Sequence, residues 1–121
     1  MLNRRIEDDT IIFSEGANVF FSVEEKETDQ GIQLVLSGEM RSNVAHDILD
    51  EMIALTTVGA NILVDFGKVT YISPTAQHVF LRVQQKMDEM GKGMLTMAGL
   101  SDEIFQEFER TGASELLMIE R

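Results

Sequence analysis

Residues 61–76 constrain the fold more than any other stretch of this chain. Ile62-Leu63-Val64 is a short apolar run followed by Asp65 and Phe66, the pattern of a central strand with both faces covered. Gly67-Lys68 reads as a turn, and Val69, Tyr71 and Ile72 as a second short apolar piece. Ser73-Pro74 then opens a long amphipathic segment. Serine suits the N-cap because its hydroxyl accepts a bond from an orphaned helix N–H. Proline suits the first helical position, where no N–H is needed. The helix is therefore expected from Pro74 to about Met90, with Ser73 as its cap. Its start presents the positive end of the helix dipole, a natural site for a negative group.

The rest of the chain alternates around this unit. Val19–Val23 reads as a first strand, the polar run Glu24–Gln30 as a hairpin loop, and Ile32–Leu36 as a second strand ended by Ser37-Gly38. Residues 43–57 carry Val44, Ala45, Ile48, Leu49, Met52 and Ile53 at helical spacing, with Ser42 or Asn43 as cap and Gly59 as the stop. In the second helix Ala76, Val79, Phe80, Val83, Met87 and Met90 form the apolar stripe, while Thr75, His78 and Arg82 face away. Leu81 sits off that stripe and reads as exposed. Met94–Ala98 is a further strand, Ser101 caps a third helix carrying Ile104, Phe105 and Phe108, and Leu116–Ile119 is a last strand. Alternating helices and strands after residue 40 predict an α/β fold with right-handed parallel crossovers. Met52, Met87, Met94 and Met97 fall at core positions.

Residues 1–18 are read as an added N-terminal arm and 19–121 as one domain. In the arm, Ile11-Ile12-Phe13 suits a short strand and residues 14–18 a loop. The arm either frays or covers a sheet edge.

Composition narrows the function classes. A length of 121 residues suits one domain. The net charge of −11 with only ten Lys and Arg argues against nucleic acid and against an anionic membrane surface. The plain reading of the acidity is solubility; the functional one is a basic partner. The absence of cysteine removes disulfides and thiolate metal sites and agrees with a cytoplasmic setting. His46 with Asp50 supplies only two ligands, short of a closed metal site, so no metal is expected. Neither nucleotide-binding glycine fingerprint occurs, and no cofactor is expected. Glu39 and Asp65 lie near predicted strand ends. Such a pair suits acid–base work, but satisfying loop N–H groups is the commoner role. No enzyme is expected.

The stretch resembles the STAS domain family of anti-sigma-factor antagonists, whose hallmark is a strand ending in Asp-Leu, a short linker, and Asp-Ser-Ser/Thr-Gly opening a helix. Asp65-Phe66 and the linker 67–72 match it. Leu36-Ser-Gly-Glu-Met40 is similar to the family's Leu-x-Gly-Glu-Leu, Gly91–Leu100 to its Gly-x-x-Leu-x-Leu-x-Gly, and Phe108–Gly112 to its Leu-x-x-x-Gly. The resemblance implies a STAS-like single domain, a mixed sheet with helices mainly on one side. It implies partner switching in transcription regulation. In the family, the unmodified protein binds an anti-sigma factor that is also a serine kinase, and phosphorylation of the hallmark serine ends the complex. The implied partner and switch surface is Gly38, Glu39, Met40, Ser73, Pro74, Thr75, His78, Leu81 and Arg82. Here the hallmark aspartate is Ser73, the phosphoacceptor is Pro74, and the glycine is Ala76. Pro74 has no hydroxyl, which leaves Ser73 and Thr75 as alternative acceptors. A non-switching scaffold, a homodimer, or a sensor of a small ligand such as a nucleotide or lipid stays open. An apolar pocket beside the 38–41 and 65–75 loops would favour the sensor.

Overall fold

The computed structural model describes residues 1–120 and places seven strands in one sheet whose spatial order is the chain order. The first four, β1 (Leu2–Glu7), β2 (Thr10–Glu15), β3 (Asn18–Thr28) and β4 (Gly31–Met40), form an antiparallel meander. The last three, β5 (Ile62–Ile72), β6 (Leu95–Ala98) and β7 (Met118–Glu120), run parallel to β4. The parallel strands are joined by α1 (Ala45–Thr56), α2 (Pro74–Met90) and α3 (Asp102–Arg110). Each crossover steps one strand further in the same direction. With a shared right hand, all three helices then fall on one face of the sheet. The mixed α/β architecture is the expected one.

Alternation along β5 reports that one-sided cover. Ile62, Val64 and Phe66 are buried, while Leu63 and Asp65 between them are half-exposed. The expectation that both faces are covered is thus corrected. The core is knit by aromatic rings. Phe66 lies 5.3 Å from Phe80 of α2 and 6.1 Å from Phe108 of α3, ring centre to ring centre. Phe13 and Phe21, at 6.1 Å, extend the same core to β2 and β3.

Several boundaries differ from expectation, each for a physical reason. Gly67-Lys68 is no turn: β5 runs through it as a bulge, with Asp65 opposite Val35 and Lys68 opposite Ser37. The Asp65 carboxylate accepts the Gly67 N–H at 2.8 Å, replacing a ladder bond lost there. Ser37-Gly38 does not end β4, which pairs on to Met40. Gly38 has φ +96°, and a Cβ there would run into the Phe20 carbonyl oxygen. Residues 24–28 belong to β3 despite their polarity, because they pair with β4 up to Thr28↔Gly31.

Residues 2–7 add a charged strand that alternation alone does not flag, and β2 pairs onto β3. Met94 is exposed, so it is not core filler, and the last strand starts at Met118 rather than Leu116. Helix α1 is preceded by a single 3-10 turn at Ser42–Val44 and has no side-chain cap. The Ser42 hydroxyl and Asn43 amide are bonded elsewhere, to Ser73 and Glu15. Helix α2 has the expected bounds, with Ser73 as cap, Pro74 in its first turn and Gly91 closing it in the left-handed conformation.

Candidate partner-binding surface

The ends of β4 and β5 and the start of α2 meet at one edge of the parallel sheet. Glu39 pairs with Tyr71 and Met40 with Ile72, and the Ser73 N–H donates to the Met40 carbonyl at 3.0 Å. Ligands of open α/β sheets bind outside such carboxyl ends. The 38–41 and 71–75 segments are therefore held side by side by backbone bonds.

Ser73 is the hinge of this junction. Its Oγ accepts from the Ala76 N–H and from the Ser42 hydroxyl, each at 3.0 Å. It is only 3% exposed. Met40 is fully buried. The expectation that Ser73 and Met40 present their side chains to a partner is therefore corrected: both hold the loop from inside. Leu81 is also corrected, since it is half-buried and packs against the core. What the surface presents is Pro74, Thr75, His78 and Arg82, all exposed. Thr75, His78 and Arg82 recur at helical spacing and line one side of the first two turns of α2.

Beside them the end of β4 and Arg41 after it carry a polar cluster. Arg41 Nε donates to Glu39 at 3.1 Å and Nη1 to Glu15 at 3.4 Å, and its guanidinium lies 4.1 Å from the centre of the Phe20 ring. The Asn43 amide donates to the same Glu15 at 3.3 Å. Sequence reasoning missed Arg41 and Glu15, which are separated along the chain and share no motif. It also missed Gln77, a polar residue only 2% exposed whose Oε1 accepts from the Thr111 hydroxyl at 2.9 Å. That bond ties the start of α2 to the end of α3. Tyr71, 48% exposed, is a further apolar element of this edge.

Asp65 does not join the site. It pairs with Val35 while Glu39 pairs with Tyr71, which separates the two carboxylates by roughly 13 Å along the strands. Asp65 instead serves the bulge, the loop role weighed against catalysis. His46 is exposed and lies 3.4 Å from Asp50. Among the described residues no group of three or more His, Cys, Asp or Glu is placed to hold a metal. Nor is any helix among them long and apolar enough to cross a membrane.

A shallow groove of about 300 Å³ borders the surface, lined by Thr70, Tyr71, Pro74, Glu103, Glu107 and Arg110 among others. Its lining is mixed: Tyr71, Ile72, Pro74 and Ile104 are apolar, and Glu103, Glu107 and Arg110 are charged. A larger hollow of about 500 Å³ lies at the opposite end of the strands, beside Gly31, Asn61 and Met94.

Comparison with known proteins agrees with this fold. A family model described as "Mlab, STAS domain" matches residues 23–120. The anti-sigma-B factor antagonist of Listeria monocytogenes is 26% identical over 103 residues, covering 84% of this chain and 89% of that protein. In fold, the chain is similar to the unphosphorylated anti-sigma factor antagonist SpoIIAA, with a TM-score of 0.68 and 13% identity over 82% of this chain and 88% of that one. It is likewise similar to the protein TM1081, with a TM-score of 0.71 and 15% identity over 79% and 78% of the two chains. The chain belongs to the STAS domain family.

Proposed function

We propose that this chain is a non-enzymatic interaction module that docks an anti-sigma factor of the serine-kinase type, and that it escapes phosphorylation at the family's acceptor position. The observation that carries the reading is the exposed Thr75–His78–Arg82 side of α2, set at a helix start that Ser73 and Met40 hold rigid. Relatives named anti-sigma-B factor antagonists supply the partner class.

The physics of the switch explains what is lost. A phosphate adds about −1.5 to −2 charges at a docking surface, and a helix start tolerates it in the free protein. Pro74 offers no hydroxyl to receive it. Ser73 is buried and its oxygen already accepts two hydrogen bonds, so a kinase would have to open the cap to reach it. Thr75 is the exposed hydroxyl of the three. The small-ligand reading comes second: the adjoining groove is part apolar, but at about 300 Å³ it stands at the lower limit for a drug-sized ligand.

The test is a calorimetric titration against the anti-sigma factor kinase of the same organism. Wild type is expected to bind. Thr75→Arg and Arg82→Glu should weaken binding about tenfold or more, as changes at the centre of an interface do. Glu89→Lys, at the far end of α2, should not. Absence of binding by wild type, or unchanged binding by both helix-start variants, defeats the reading.

A further inference from the structure

Three crossover helices cannot cover seven strands. Ile48, Met52 and Leu55 of α1 meet Val23 of β3 and Leu34 of β4, and the hairpin β1–β2 extends the sheet beyond β3. A pocket of about 180 Å³ results between the outer flank of α1 and the turn of that hairpin. Its floor is the buried side chains of Val23, Leu34, Ile48 and Met52, and its apolar wall includes Ile11 and Leu55. Ile6, 61% exposed, stands at the mouth. Asp8, Asp9, Glu25 and Glu51 also line it, and no Lys or Arg does. Arg4 reaches one of them, Glu51, at 3.1 Å.

We infer that this pocket is a second protein-docking site, which takes one apolar side chain of a basic peptide segment. Size and charge carry the inference together. Pockets for drug-sized ligands run to about 300–1,000 Å³, so this one is small for a nucleotide or lipid. An apolar cavity of about 150 Å³ accepts benzene, so a phenylalanine or leucine side chain fits. Carboxylates around an apolar floor select for Lys or Arg on either side of that anchor, and the net charge of −11 steers such a segment toward the chain. The site lies toward the opposite end of β3 and β4 from Gly38–Met40 and Ser73. Part of it, Ile6 to Ile11, precedes residues 23–120 that match the family. It is therefore independent of the α2 surface, and either assignment stands without the other.

The probe is the end-blocked pentapeptide Lys-Arg-Phe-Lys-Arg, titrated into methyl-labelled protein and followed by NMR. Saturable shifts are expected at the methyls of Ile6, Ile11, Val23, Leu34, Ile48 and Leu55. The double variant Asp9→Lys/Glu25→Lys, which reverses two charges of the pocket lining, should weaken binding about tenfold or more. Raising salt from about 0.1 to 1 M, which shrinks the Debye length from about 10 to about 3 Å, should weaken it as well. The same peptide with alanine in place of phenylalanine should leave the Leu34 and Ile48 methyls unmoved. Equal shifts from the alanine peptide would reduce the effect to unspecific attraction by an acidic surface and overturn the proposal. So would no saturable shift at all, or pocket shifts that depend on protein concentration without peptide, which would mean that a second copy fills the site.

Discussion

Replacing Ser73 with alanine tests the physical heart of the candidate surface. The side chain accepts the Ala76 N–H and the Ser42 hydroxyl, each at 3.0 Å, and is only 3% exposed. Losing an N-cap oxygen costs about 0.5–2 kcal/mol. The Ser42 hydroxyl loses its acceptor in the same step, but Ser42 is exposed and water replaces it, so this adds little. Ser73→Ala should therefore lose about 0.5–2 kcal/mol. For a domain of this size that corresponds to a fall in Tm of about 2–8 °C. The assay is urea unfolding followed by circular dichroism, with an unchanged m-value as the sign that the native state stays compact. Thr75→Ala is the control. It removes an exposed hydroxyl one turn position away and should stay within about 0.5 kcal/mol. A Ser73→Ala protein as stable as wild type would refute the reasoning, because the Ser73 hydroxyl would then be free to serve as a phosphoacceptor.

Phe13→Ala should cost about 3–5 kcal/mol in the same assay, because Phe13 is fully buried against Phe21; a small loss would mean that β2 is an accessory and not part of the core. Leu81→Asp should lose about 1–3 kcal/mol by thermal melting, since Leu81 is half-buried against the core; full stability would return Leu81 to the exposed face. Gly38→Ala should cost about 2 kcal/mol or more, because φ is +96° and the Phe20 carbonyl blocks the new Cβ. Gly16→Ala, with φ +58° and open space around it, should cost only about 1 kcal/mol.

The fold was legible where local chemistry sets the boundary. Helix α2 reads off the sequence at both ends because Ser73-Pro74 starts it and Gly91 stops it, and each signal acts within a few residues. Ser101 does the same for α3, accepting the Ile104 N–H. The start of α1 was not legible, because Ser42 and Asn43, good caps by type, are engaged by residues 31 and 28 positions away. Polar residues 24–28 pass for a loop until β4 is seen to pair with them. Gly67-Lys68 looks like a turn because a bulge and a turn both draw on glycine and polar neighbours. The charged β1 has too little alternation to declare itself, although Arg4 finds Glu51 across the fold. At the surface, Thr75, His78 and Arg82 were placed by helical spacing alone. The Arg41–Glu15–Phe20 cluster depends on a contact between strand ends that no short motif encodes.

The account's central claim is that this surface docks a serine-kinase anti-sigma factor while Pro74 closes the acceptor position. The most direct test is to incubate the wild type and the double variant Ser73→Asp/Pro74→Ser with that kinase and ATP, then map modified residues by mass spectrometry. Aspartate keeps a good N-cap, so the variant should fold and restores the order Asp-Ser-Thr. The account predicts modification at position 74 in the variant and none at positions 73–75 of wild type. Heavy phosphorylation of wild-type Thr75 or Ser73, or no modification of a double variant that the kinase binds, would contradict it.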